Sequence, residues 1–147
     1  MEEMPYSLTR SYDCITDSII TSVEVENTVT GSKLQTEGIW DTGATGSVIT
    51  KSAAVCLGLT PEGIVKVRGV HGVKEVNMYY VKIILDNKNI VLKTRVTECD
   101  ELSSSNSTGM LIGMDVITLG DFSITNFGEQ TVMSFRVPSL GKVDFTD

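Results

Sequence analysis

The stretch Ile39-Trp40-Asp41-Thr42-Gly43-Ala44-Thr45-Gly46-Ser47-Val48-Ile49 is the part of this chain best suited to chemistry. An apolar strand runs into a carboxylate, then into a turn of small residues, then into a second apolar strand. An Asp at a strand end beside Ile39 and Trp40 is partly withdrawn from water. Gly43 and Ala44 let the backbone approach that carboxylate and donate N–H groups to it, and Thr42 adds a hydroxyl that can lock the turn. A carboxylate held in this way is a candidate general base. An Asp-Thr-Gly turn also arises as a plain connection between strands. The surrounding elements decide between the two.

Those elements are mostly strands. Asp17 to Thr28 alternates Ile19, Thr21, Val23 and Val25 with polar neighbours, and Leu34 to Trp40 returns after the turn at Thr30-Gly31-Ser32-Lys33. Ser52 to Leu57 reads as one or two helical turns capped by Thr50 or Ser52 and stopped by Gly58. Ile64 to Arg68 and Val73 to Leu85 flank a break at Gly69-Val70-His71-Gly72, and Ile90 to Val96 follows the polar turn Asp86-Asn87-Lys88-Asn89, so two consecutive hairpins are expected. Of the adjacent Tyr79 and Tyr80, one ring should point inward and one outward. Glu98 to Gly109 is polar and Ser-rich, an exposed loop. Met110 to Gly113 is a compact apolar strand, Asp115 can cap a short helix over Val116 to Leu119, and Phe122 to Thr125 pairs with Thr131 to Val137 around Asn126-Phe127-Gly128. The reading is a single mainly β domain at 17–137. Segments 1–16 and 138–147 are each either an intersubunit strand or a tail.

Composition narrows the function classes. The chain has 147 residues, 41% of them hydrophobic and 21% charged, enough for one self-sufficient core. Twelve basic against nineteen acidic residues give a net charge of −7, which disfavours nucleic acid and anionic lipid as partners. An odd count of three widely spaced cysteines, Cys14, Cys56 and Cys99, fits reduced thiols and a cytoplasmic or other reducing intracellular compartment. The acidic opening Met1-Glu2-Glu3-Met4-Pro5 is no secretory signal, so Asn106-Ser107-Thr108 reads as a chance glycosylation sequon. No apolar run is long enough to insert in a membrane. With His71 the single histidine, no metal site is expected, and no cofactor is implied. Ser47 and His71 make no triad, since a Gly-x-Ser-x-Gly elbow is absent.

The Asp41 stretch resembles the active-site loop of the retropepsin-like aspartic proteases (retroviral type, clan AA). Leu111-Ile112-Gly113-Met114-Asp115 is similar to that family's second landmark, two apolar residues and a Gly leading into a short helix. The Gly69-Val70-His71-Gly72 turn resembles the family's flap hairpin. The pattern is as close to cellular or bacterial members as to viral ones. The resemblance implies a single-lobe, mainly β acid-protease barrel with one or two short helices and a flap.

It also implies a mechanism that needs two carboxylates around one water, of which this chain supplies only one. The implied enzyme is therefore a homodimer cutting extended polypeptide, with Asp41 catalytic on the two-fold axis. Thr42 would bond into the partner's loop, Gly43 would bond the carboxylate or the substrate backbone, and Ala44 would complete the loop. Gly69, Val70, His71 and Gly72 would cover substrate, and Leu111, Ile112 and Gly113 would support the loop from beneath. Retroviral members place Arg where Met114 stands. The alternative is a catalytically silent dimerisation or peptide-binding module of the same fold.

Overall fold

Alternating β-branched residues set the architecture, seen here in a computed structural model that describes residues 6–146. The terminal residues 1–5 and 147, covered by the expectation of tails or intersubunit strands, lie outside the described residues. In β2 (Ile20–Asn27), Thr21, Val23, Val25 and Asn27 are buried and the residues between them half-exposed, the signature of a strand with one wet face. β2 pairs antiparallel with β3 (Lys33–Trp40), which lies parallel to β8 (Thr108–Ile112). Antiparallel to β8 runs β4 (Val48–Thr50), which is parallel to β7 (Val91–Cys99). β7 pairs with β6 (Gly72–Leu85), and β6 returns to β2. Six strands thus close into a barrel, leaving no open edge among them. Val23, Val25, Ile49, Val81, Ile83, Leu85, Val96, Met110 and Ile112 fill the interior. Truncating such a residue, for example Ile83→Ala, costs about 2–5 kcal/mol.

β5 (Gly63–Gly69) extends the sheet beyond the barrel by pairing with the first half of β6, from Gly63 opposite Met78 to Gly69 opposite Gly72. Val70 and His71 form its two-residue turn, and Gly72 takes a φ of +114°, a conformation L side chains rarely adopt. The hairpin expected around Gly69–Gly72 is present. Tyr79 is 4% exposed and Tyr80 39%, one inward and one outward as alternation requires.

A second sheet joins β1 (Tyr6–Ser11), β10 (Val132–Val137) and β9 (Asp121–Thr125) in that spatial order, with β10 central and antiparallel to both neighbours. Residues 6–11, assigned by sequence to a strand between subunits or a tail, pair with β10 of the same chain. The sheet packs on the barrel through Phe122 and Phe135, whose rings lie 5.4 and 5.1 Å from that of Trp40.

The two helices are short. α1 (Lys51–Cys56) is capped by Thr50, whose Oγ1 accepts from the Ala53 N–H at 3.2 Å. α2 spans Met114–Ile117, and its N-cap is Gly113. The expected capping by Asp115 is therefore corrected: Asp115 lies inside the first turn, because its carboxylate is held elsewhere. The irregular segment expected at Glu98–Gly109 shrinks to residues 100–107, since β7 and β8 run further into it.

Candidate active site

Trp40 fixes the approach to Asp41. Its ring is buried under the small sheet, and its Nε1–H donates to the Thr21 hydroxyl at 2.9 Å, so β3 ends in one rotamer-locked anchor. The Asp41 N–H then donates to the Ile112 carbonyl at 2.9 Å, the last strand-like contact before the chain turns. Gly43 donates its N–H to Asp41 Oδ1 at 2.8 Å. A Cβ on Gly43 would stand 3.1 Å from that oxygen, so a small residue is needed where the backbone meets the carboxylate. Ala44 behaves differently from expectation: its N–H goes to the Asp41 backbone carbonyl at 3.3 Å and leaves the carboxylate alone. Asp41 is half-buried and Thr42 and Gly43 are exposed, so the tip of the loop faces out of the single chain.

Behind the tip, the loop is clamped by the segment at 111–115. Met114 N–H donates to the Ala44 carbonyl at 2.8 Å and Asp115 N–H to the Thr45 carbonyl at 3.2 Å. The Asp115 carboxylate accepts from the Ser47 hydroxyl at 2.7 Å, from the Ser47 N–H at 3.1 Å and from the Val116 N–H at 2.9 Å. Ser47 Oγ in turn accepts the Gly113 N–H at 3.0 Å. Charge-assisted bonds of this kind are about twice as strong as neutral ones. Gly113 is obligatory here: a Cβ would lie 2.8 Å from the Gly46 carbonyl oxygen and 2.9 Å from that of Ala44. Leu111, Ile112 and Gly113 therefore lie against the Asp41 loop. Ser47 and Asp115 complete the support, and sequence reasoning assigned neither of them to it.

The hairpin tip at Gly69, Val70, His71 and Gly72 is exposed, and its base stands near the loop. The Thr97 N–H donates to the Ser47 carbonyl at 3.3 Å, and Thr97 opposes Met78 on β6. Two interstrand steps put the base of the hairpin about 10 Å from the end of the Asp41 loop. At that base the Tyr79 hydroxyl donates to Glu98 Oε1 at 2.7 Å. Burial, and then this bond to Glu98, hold the Tyr79 phenol above its ordinary pKa.

Comparison with known proteins agrees with this geometry. The family model for aspartyl proteases matches residues 23–116, close to two-thirds of the chain. A retropepsin-like aspartic protease from Rickettsia conorii matches in structure with a TM-score of 0.53 at 13% identity, over 93% of this chain and 98% of that one. The retroviral protease-like domain of Ddi1 from Leishmania major gives 0.45 at 19% identity, over 86% and 98%. The EIAV protease gives 0.44 at 20%, over 72% and 89%. The Rickettsia match carries the fold: a single-lobe, retropepsin-like β-barrel with two short helices. No curated protein matches the chain in sequence.

Proposed function

This chain belongs to the aspartyl protease family, and from that premise we propose that it is an endopeptidase whose catalytic carboxylates are Asp41 and the partner's Asp41, joined across a homodimer two-fold axis. One chain carries one Asp-Thr-Gly, so a working pair requires a second copy, and a two-fold axis places identical loops face to face. Two carboxylates around one water cannot both be charged, so the pair holds one proton between them. The anionic member takes a proton from the water as it attacks the peptide carbonyl, and the protonated member donates to the oxyanion that forms. On collapse, the proton passes to the departing amine.

The remaining residues take supporting parts. Gly43 holds Asp41 Oδ1 through its N–H, and Thr42 and Ala44 complete the loop, with the exposed Thr42 hydroxyl reaching into the partner's loop. Leu111, Ile112 and Gly113 carry the loop from below. The hairpin tip from Gly69 through Val70 and His71 to Gly72 closes over an extended polypeptide bound in the manner of an added strand.

The observation that carries this reading is the pinned loop. Asp41 is fixed from behind by the Gly113–Asp115 segment while its own tip is left uncovered. The test is cleavage of an unfolded protein at acid pH, with Asp41→Asn as the control. The variant should lose about a hundred- to ten-thousand-fold in rate. Equal rates in the two proteins would overturn the proposal.

A further inference from the structure

The parity of β6 says which side chains of the hairpin look into the cleft. Tyr79, Val81, Ile83 and Leu85 are 4, 0, 1 and 1% exposed and point into the barrel. The pairing of β6 with β5 and with β7 is continuous from Gly72 through Ile84, without a bulge. Side chains two apart share a face, so Val73, Glu75 and Asn77 lie on the side that continues the barrel interior. Their directly opposed partners on β5 are Arg68, Lys66 and Ile64, and opposed residues share that face too. The cleft side of the hairpin therefore carries two cations.

Among the described residues seven of the twelve basic residues are paired, and these two are among the five that are not; what sets them apart is their place on the hairpin. The chain has a net charge of −7, and Arg10, Lys33, Lys74, Lys82, Lys88, Arg95 and Arg136 each lie within 4.0 Å of a carboxylate. Among the described residues neither Lys66 nor Arg68 has such a partner. Lys66 at least faces Glu75 across the hairpin, whereas Arg68 faces Val73. Among the described residues Arg68 is thus a guanidinium without a carboxylate partner, one step from the tip and on the face that continues the barrel interior. A guanidinium fork matches a carboxylate in geometry as well as charge.

We infer that Arg68, with Lys66 behind it, is a specificity determinant that selects polypeptides bearing Asp or Glu close to the scissile bond. The inference rests on the peptide-cleaving reading above, and it names the substrate class. Long-range attraction from two cations also speeds encounter with acidic segments, an effect that salt weakens.

The test uses the whole chain and two peptides that differ only in Glu against Gln, placed in turn at each of the three positions on either side of the cleaved bond. The readout is the ratio of kcat/KM for the acidic over the neutral peptide. Wild type should favour the acidic peptide at one position or more. Arg68→Gln should lower that ratio about fivefold, the worth of one partly exposed ion pair, and Arg68→Glu should invert it in favour of the neutral peptide. A parallel titration of fluorescent peptides against the Asp41→Asn protein reads binding without turnover. Acid-selective binding that Arg68→Glu abolishes, with no cleavage by wild type, would sink the protease reading and keep this one. Cleavage with an unchanged acidic-to-neutral ratio in both Arg68 variants would sink this one and keep the protease.

Discussion

The Asp41 loop is held by contacts that differ in how far apart they lie along the chain. Asp41, Gly43 and the small residues between them announce themselves in sequence, because a carboxylate and the N–H that serves it are two residues apart. The Ser47–Asp115 bond joins residues 68 positions apart, and an Asp next to a short helix looks like a cap from sequence alone. Removing the Ser47 hydroxyl leaves the Gly113 N–H without its acceptor and takes one of two donors from Asp115 Oδ1, so Ser47→Ala should cost about 1–3 kcal/mol in urea unfolding. Gly113→Ala should be at least as damaging, because the new Cβ meets two backbone carbonyls that cannot swing aside. A cost of about 1–3 kcal/mol, with loop-dependent activity lost beyond what stability explains, is the expected result. Cysteine chemistry gives an independent check. Burial, then Asp100 and Glu98, push the Cys99 thiol up to about 11, while Cys14 and Cys56 are exposed. Iodoacetamide at pH 8 should modify Cys14 and Cys56 in the folded protein and reach Cys99 only after unfolding, as mass mapping would reveal.

Elements were legible in sequence where their residues alternate cleanly, and illegible where the partner decides. β2, β3, β6 and β7 each show a period of two, whereas β1 has a single buried residue, Leu8, and only its pairing with β10 makes it a strand. The closure of β2 on β6 is likewise a matter of tertiary pairing, whereas Val48-Ile49, read in sequence as an apolar strand, is the start of β4. The small sheet also holds the start of the C-terminal segment through one carboxylate. Asp121 accepts from the Ser139 hydroxyl, the Leu140 N–H and the Arg136 Nε–H at 2.5, 2.8 and 2.7 Å. Those three donors, in that order, lower its pKa from 3.8 to about 2. A group depressed in the folded state stabilises above its unfolded value and stops doing so as pH falls through its folded one. The segment at 139–140 should therefore stay fixed at pH 5 and come loose between pH 4 and about 2. Amide exchange of Leu140 followed across that window should rise in wild type, and in Asp121→Asn it should be fast throughout.

At the scale of the molecule, the proposed dyad makes each chain a half-site that cannot work alone. If catalysis needs Asp41 from each of two chains, specific activity must fall on dilution, because the concentration of pairs drops faster than that of chains. A pH profile of the pair should be bell-shaped, falling on the alkaline side when both carboxylates ionise and on the acid side when both are protonated. Dilution and pH can each have other causes, and mixing separates them. Adding Asp41→Asn chains to a fixed amount of wild type converts active pairs to mixed ones that lack one carboxylate. Random exchange leaves about half the activity at equal amounts and about a tenth at tenfold excess, the arithmetic of a two-fold assembly. A self-sufficient chain would be indifferent to the addition. A fall that follows this curve, with a parallel approach to dimer mass in sedimentation, would tie the reaction to the symmetric pair. Flat activity with dimers present would place the seam away from Asp41.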